Sequence, residues 1–77
     1  MRSEEEVLQV LSEVSQIPVE SLTSEKHLVH DLDLDSTLTL ELLMTLEERL
    51  GSEISEVDAA KLVTVGNILA YVKERSG

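Results

Sequence analysis

Hydrophobic residues recur at helical spacing near the start of the chain. Apolar side chains three or four residues apart line one face of a helix, so the spacing predicts a helix from about Ser3 to Ser15. Pro18 should end it, because proline disfavours the α conformation at Ile17 and has no N–H to donate. The residues of the predicted apolar face are Val7, Leu8, Leu11 and Val14.

Residues 16–35 show no continuous helical period. A connection of this length inside a compact domain needs either a function or anchors of its own. Apolar residues spaced between polar ones are expected to provide anchors by packing on the core, with a short helical turn near Val19 to Leu22. The expected anchors are Ile17, Val19, Leu22, Leu28, Val29, Leu32 and Leu34.

The clearest predicted helix runs from about Ser36 to Leu50. Asp35 and Ser36 are both good N-cap residues, so the helix is expected to begin at one of them. Gly51 stands where a left-handed residue commonly ends a helix. On a helical wheel, one arc of about 140° forms the core stripe. This stripe comprises Leu38, Leu42, Leu43, Leu46 and Leu50.

Two apolar residues of this helix, Leu40 and Met44, lie outside the core stripe. They share the other side of the wheel with Thr37, Glu41 and Glu48. Isolated exposed apolar residues are common and need no function. Surrounded by acids and next to an exposed serine, however, this pair indicates a docking surface, and a flexible methionine suits several partners.

Two further helices are predicted towards the C-terminus. A short one is expected after Ser55 and through about Leu62, and a last one begins after Thr64 as N-cap. Gly66 is expected to weaken the last helix by roughly 0.5–1 kcal/mol relative to alanine. Its apolar face comprises Val65, Ile68, Leu69 and Val72. The pattern predicts an all-α bundle of three main helices plus one short helix, with a long first loop.

Composition limits the class of protein. Seventy-seven residues predict a single domain over residues 1–77, and a hydrophobic content of 42% at regular spacing argues against disorder. There is no cysteine for a disulfide or thiolate metal site. No apolar run approaches the ~20 residues that span a bilayer, and the first residues lack the apolar region of a signal peptide. We expect a cytoplasmic monomer that does not insert into membranes.

The chain is strongly acidic, with sixteen acidic and six basic residues and a net charge of −10. This charge repels nucleic acid and anionic membranes and attracts basic protein surfaces. Residues 31–60 hold nine acids and one base, Arg49, so this part alone contributes −8. The expected partners are therefore cationic proteins.

Two patterns before Ser36 resemble parts of a metal site and of a nucleophile–base pair. Asp31, Asp33 and Asp35 match the opening of a calcium-binding EF-hand loop, but the loop then needs glycine where Ser36 stands and glutamate where Leu42 stands. His27 and His30 precede Ser36, but the chain has no G-x-S-x-G nucleophile elbow and is too small to offer much of a cleft. Neither a metal site nor an enzyme is predicted.

At its centre the chain resembles acyl carrier proteins, and the likeness extends over nearly its whole length without insertion. The matching stretches are Asp31-Leu32-Asp33-Leu34-Asp35-Ser36, Glu41-Leu42-Leu43-Met44, Leu46-Glu47-Glu48, Glu53-Ile54, Lys61-Leu62-Val63-Thr64-Val65 and Tyr71-Val72. A lone Asp-Ser pair would be weak support. Together with length, charge and helix order, the match predicts membership of this family.

The resemblance implies that Ser36, preceded by Asp35, carries 4′-phosphopantetheine, joined as a phosphodiester by a phosphopantetheinyl transferase that takes it from coenzyme A. Acyl intermediates would be held as thioesters and presented to enzymes of fatty-acid, lipid or polyketide biosynthesis, with no catalysis by the chain itself. The alternative is an unmodified acidic interaction module in which Ser36 only caps a helix.

The resemblance also assigns two sets of side chains. The set expected to bind basic docking patches of acyl-transferring and acyl-modifying enzymes is Thr37, Leu40, Glu41, Met44, Glu47 and Glu48. The set expected to line the acyl pocket is Leu28, Leu42, Leu43, Leu46, Leu50, Ile54, Leu62 and Tyr71. Leu28 and Leu50 stand where the family is often aromatic, so the pocket is expected to differ in shape.

Three positions near Ser36 depart from the family pattern. Thr37 stands where a leucine is usual, and Leu38 stands where a polar residue is common. Leu38 cannot replace the missing leucine on the same face, because one residue turns a helix by about 100°. Asp33 stands where a glycine is frequent, so the loop is expected to follow a different path or to tolerate strain less easily. These departures suggest a specialised carrier with altered partner choice.

Overall fold

The computed structural model describes residues 2–76, with the side chains of residues 4–75. Its helices are α1 (Arg2–Ser15), α2 (Ser36–Leu50), α3 (Glu56–Ala60) and α4 (Val65–Ser76), and a 3₁₀ turn covers Val19–Ser21. Within this part of the chain, β pairing is limited to one isolated bridge. The all-α prediction, with three main helices and one short one, is confirmed.

The core forms where α1 packs against both α2 and α4. Each of these helices contributes a side chain with no exposed surface: Leu11, Leu42 and Ile68. Burying a side chain of this size stabilises the fold by roughly 1.5–3 kcal/mol. The remaining buried residues are Val7, Val10, Leu22, Leu28, Leu32, Leu34, Leu46, Leu62, Val65 and Val72.

The helix bounds agree closely with the sequence pattern. α2 has the predicted bounds, and the turn expected near Val19 is the 3₁₀ turn. The prediction for α3 was too long, because the helix ends at Ala60 and Lys61 forms its C-cap. α1 begins at Arg2, one residue before the predicted start. The side chain of Ser3 lies outside the described residues.

Two helices end in a left-handed residue, which frees the chain to turn back. Gly51 follows α2 with φ 72° and donates its N–H to the carbonyl of Glu47, as predicted. Gln16 follows α1 with φ 62° and donates its N–H to the carbonyl of Ser12. A residue with a β-carbon adopts such a conformation less readily than glycine, so the backbone at Gln16 is strained.

Backbone hydrogen bonds attach residues 24–28 to the start of α4. The N–H of Leu28 donates to Val63 O at 2.9 Å, that of Val65 to Lys26 O at 3.0 Å and that of Gly66 to Ser24 O at 2.9 Å. An isolated antiparallel bridge pairs His27 with Thr64 in the same place. The long connection is therefore held by its backbone as well as by its apolar side chains.

Most of the expected anchors of this connection pack as predicted. Leu22, Leu28, Leu32 and Leu34 are buried, and Ile17 packs partly buried against the core. The prediction was wrong for Val19 and Val29, which are 36% and 53% exposed. Val29 lies in the turn that His27 organises, and the backbone there directs its side chain outwards. An apolar residue in a loop indicates burial only where the backbone allows it.

Gly66 has a packing role that helix propensity does not reveal. A β-carbon built on it would lie 3.1 Å from the carbonyl oxygen and 3.2 Å from the β-carbon of Ser24. These contacts are tight, and Ser24 cannot easily retreat because the bond from Val65 to Lys26 holds the next turn of backbone. Glycine at this position permits the close approach between α4 and the connection.

Gly66→Ala is therefore expected to destabilise the protein by about 0.5–1.5 kcal/mol, despite the better helix propensity of alanine. The urea midpoint of unfolding measures the change. Ala70→Gly, at an exposed position of the same helix, is the matched control and should cost about 1 kcal/mol through propensity alone. A higher midpoint for Gly66→Ala would show that the Ser24 segment moves aside freely.

Candidate functional site

The start of α2 is capped by Asp35. Its backbone is extended, and its Oδ1 accepts the N–H of Leu38 at 2.8 Å. Ser36 is the first residue of the helix and is exposed. The two residues were equal candidates for the cap, and the structure assigns it to Asp35. The Ser36 hydroxyl is therefore not used to begin the helix.

The turn before Ser36 is organised by His27 and Asp31. Asp31 Oδ2 accepts the N–H of His27 at 2.7 Å. His27 Nδ1 accepts the N–H groups of Val29 and His30, each at 3.2 Å. The imidazole of His27 thus closes the turn as a hydrogen-bond acceptor. These hydrogen bonds give His27 a structural role, distinct from that of a base acting on Ser36.

Asp33 lies in the left-handed region, with φ 59°, between buried Leu32 and Leu34. Both leucines must face the core, and the backbone reverses between them while the N–H of Leu34 donates to Leu28 O at 3.1 Å. Left-handed conformations favour glycine, but aspartate tolerates them better than most residues. The glycine-like backbone is therefore kept despite the aspartate, at the cost of local strain.

One face of α2 presents apolar and acidic side chains to solvent. Leu40 is 58% exposed and Met44 is 56% exposed, whereas Leu42 and Leu46 on the opposite face are fully buried. Thr37, Glu41 and Glu48 are exposed as well. Spacings of three and four residues place these side chains side by side on the helix. We call the set Thr37, Leu40, Glu41, Met44 and Glu48 the α2 face.

Glu47 differs from the other acids of α2. It is half-buried, and its Oε2 accepts the N–H of Ile54 at 2.8 Å. This bond joins the end of α2 to the connection that leads into α3. The family resemblance predicts a docking role for Glu47, but its carboxylate accepts a hydrogen bond within the molecule.

The residues expected to line the acyl pocket all lie in the core or against it. Leu28, Leu42, Leu46 and Leu62 are buried, and Leu43, Leu50, Ile54 and Tyr71 are partly buried. A cavity of about 100 Å³ includes two of them, and it lies between α1, α2 and α4. Its lining is Glu6, Val7, Val10, Leu46, Arg49, Leu50 and Val72.

A second pocket, of about 170 Å³, lies between α3 and α4. Leu62 and Tyr71 line it, together with Asp58 and Lys61 at the α3 end. Four of the eight predicted lining residues are thus divided between two separate openings. The other four, Leu28, Leu42, Leu43 and Ile54, line neither of these two and pack in the core or against it.

A cluster of charged and aromatic groups between α3 and α4 was not foreseen from the sequence. Arg75 donates to Asp58 Oδ2 at 2.9 Å, and its guanidinium lies 4.5 Å from the centre of the Tyr71 ring. The Tyr71 hydroxyl donates to the same Asp58 oxygen at 3.4 Å. Partial burial raises the pKa of Tyr71, Arg75 opposes this, and Asp58 adds to it. Tyr71 therefore remains a hydrogen-bond donor at neutral pH.

Among residues 2–76 there is no group of three or more His, Asp or Glu side chains arranged to hold a metal ion. No helix in the described part of the chain is long and apolar enough to cross a membrane.

Comparison with known proteins identifies the family. The sequence profile described as "Phosphopantetheine attachment site" matches residues 5–72. The chain belongs to the acyl carrier protein family. Its relatives include the acyl carrier protein of Chlamydia caviae, 38% identical over 77 residues and covering all of both chains. That of Chlamydia trachomatis is 37% identical over 75 residues, 97% of each chain.

Solved structures of acyl carrier proteins share the fold. An Enterococcus faecalis acyl carrier protein superposes with a TM-score of 0.76 at 34% identity, covering 95% of this chain and 98% of its own. A Mycobacterium tuberculosis protein assigned to the same family gives a TM-score of 0.83 at 28% identity, covering 94% and 96%. As a family member, the chain is a carrier with covalently attached 4′-phosphopantetheine.

Proposed function

We propose that Ser36 is the attachment point of 4′-phosphopantetheine and that the chain presents acyl thioesters to enzymes of fatty-acid, lipid or polyketide biosynthesis. The observation that carries this proposal is the division of labour at the start of α2. Asp35 caps the helix, so the exposed Ser36 hydroxyl is available for modification. The Asp35 cap also counts against the alternative in which Ser36 only caps the helix.

The residues around Ser36 fit a phosphodiester. N–H groups in the first turn of a helix have no acceptor within the helix and favour an anion. Asp35 accepts the N–H of Leu38. The N–H groups of Ser36 and Thr37 would then be available to phosphate oxygens. α1 and α3 have acids in their first turns, whereas α2 has none. Apart from the Asp35 cap, the first turn of α2 therefore places no carboxylate beside a phosphate on Ser36.

The chain's own part in the chemistry is to hold and present. When attached, the prosthetic group supplies a thiol that binds an acyl group as a thioester. The ordered turn around His27 and the Asp35 cap fix the position of Ser36. We assign no catalytic residue to the chain, and acyl transfer belongs to the partner enzymes.

The α2 face is the proposed docking surface for the transferase and for enzymes with basic patches. Glu41 and Glu48 would contact cations, and Leu40 with Met44 would form the apolar centre. Thr37 gives the end nearest Ser36 a hydroxyl instead of the leucine usual in the family. Leu38 does not restore that contact, because it packs partly buried against the core. Glu47 is assigned to the Ile54 contact, with docking as a lesser role.

The predicted acyl pocket is retained as part of this proposal. An acyl chain would enter either against Leu46 and Leu50 or against Leu62 and Tyr71. Each opening is too small for a long chain without displacement of core residues. With leucine at positions 28 and 50, we expect a pocket shape unlike that of relatives with aromatic residues there. We further propose a cytoplasmic, monomeric protein with one domain over residues 1–77.

Intact mass spectrometry tests the attachment. Incubation of the unmodified protein with coenzyme A, magnesium and a broad-specificity phosphopantetheinyl transferase should add one phosphopantetheine. Fragmentation should place the added mass on Ser36. Folded protein that gains no mass with a cognate transferase, or that gains it at another residue, would contradict the proposal.

A further inference from the structure

α3 is weakly held by apolar packing. It has five residues, none of them buried, and Val57, its second residue, is 68% exposed. Its N-terminus is satisfied locally, because Ser55 Oγ accepts the N–H of Asp58 at 3.1 Å. A helix of this length has little stability of its own. Its position on the bundle must therefore depend on a few specific side-chain contacts.

Asp58 provides such a contact to α4. One of its carboxylate oxygens receives both the Arg75 guanidinium, at 2.9 Å, and the Tyr71 hydroxyl, at 3.4 Å. The guanidinium also lies over the Tyr71 ring, which restricts it to this position. Arg75 and Tyr71 are one helical turn apart on α4, so both side chains reach the same acid. The three groups form a unit, not two separate pairs.

We infer that Asp58, Arg75 and Tyr71 form a latch that holds α3 against α4 and limits the width of the pocket lined by Leu62 and Tyr71. When the latch opens, α3 moves away and exposes Leu62. Because Leu62 and Tyr71 belong to the proposed acyl pocket, the latch would control how readily a chain enters from this side. That consequence rests on the proposed function, whereas the latch itself does not.

The latch is built to open often. The side chains of Arg75 and Asp58 are 43% and 28% exposed, so water and salt screen their attraction. A partly exposed ion pair contributes little to folding but enough to shift a local equilibrium several-fold. Loss of the latch should therefore leave the three main helices in place and change only α3.

Hydrogen exchange of backbone amides in the unmodified protein tests the latch. The reporter amides are those of Ala59, Lys61 and Leu62, which donate within α3 or at its end. Arg75→Gln should speed their exchange about two- to fivefold relative to the parent. The amide of Gly51, at the end of α2, should exchange at the same rate in both proteins. Lys73→Gln is the matched control, because it removes an exposed cation two residues away in α4 and should leave the reporters unchanged.

A double-mutant cycle separates a latch from a general effect of charge. Asp58→Asn should speed the same amides, and Asp58→Asn with Arg75→Gln should speed them no more than Asp58→Asn alone. Fully multiplicative effects, or an Arg75→Gln protein that exchanges like Lys73→Gln, would overturn the inference. Mass spectrometry of the same variants with the transferase keeps this test distinct, because failure of attachment at Ser36 would not alter exchange in α3.

Discussion

Ser36→Ala is expected to abolish phosphopantetheine attachment while leaving the fold intact. Alanine has no oxygen to form the phosphodiester, so the intact mass should not change after incubation with coenzyme A and transferase. Asp35 keeps the cap on the Leu38 N–H, so the helix start is retained. The free energy of unfolding, measured by urea titration, should therefore change by less than about 0.5 kcal/mol.

Ser55→Ala is the matched control for this loss. Ser55 is also an exposed serine at a helix start, but its hydroxyl is the N-cap of α3. We expect full attachment in this variant and a stability loss of about 1 kcal/mol. If Ser36→Ala still gained the mass, another residue would be the attachment point. If it unfolded, the assignment of the cap to Asp35 would be wrong.

Reversal of two charges on the α2 face is expected to slow docking. Glu41→Lys with Glu48→Lys turns an acidic approach surface into one that repels a basic partner. Surface charge acts mainly on the association rate, and we expect it to fall about 10- to 100-fold at low salt. Stopped-flow association with the transferase measures the rate, and added salt should shrink the difference.

The control makes the same change of net charge elsewhere. Glu5→Lys with Glu13→Lys alters two exposed acids of α1, on a different surface. We expect only a small fall in the association rate there. Equal slowing by the two pairs would show that net charge, not the α2 face, attracts the partner. Leu40→Ala should instead raise the dissociation rate, because it removes apolar contact without changing charge.

The main helices could be predicted because their information is local. Periodic leucines and valines, Thr64 as an N-cap and Gly51 as a left-handed end each act within a few residues. The structure confirms the Thr64 cap, whose Oγ1 accepts the N–H of Asn67 at 3.2 Å. The exposed pair Leu40 and Met44 followed from the same periodicity, since α2 is regular throughout its length.

The features that escaped prediction depend on contacts between distant parts of the chain. Asp58 and Arg75 are 17 residues apart, and the sequence around either residue does not indicate a contact with the other. In sequence Glu47 resembles the exposed acids of α2, and its hydrogen bond with the N–H of Ile54 forms only in the folded chain. Gly66 was judged by helix propensity, but its role is set by Ser24. Asp35 and Ser36 could not be ranked as caps because their chemistry is equally suitable.

The backbone bonds between residues 24–28 and the start of α4 also govern where the chain can change in length. In sequence this segment resembles a loop, the usual place for insertions and deletions. Here each added residue would move Ser24 or Lys26 out of register with its partner on α4 and would shift the turn that leads to Ser36. These contacts therefore restrict the number of residues between Ser24 and Ser36. The exposed stretch Gly51 to Glu53 makes fewer backbone hydrogen bonds of this kind, so variation in length is better tolerated there.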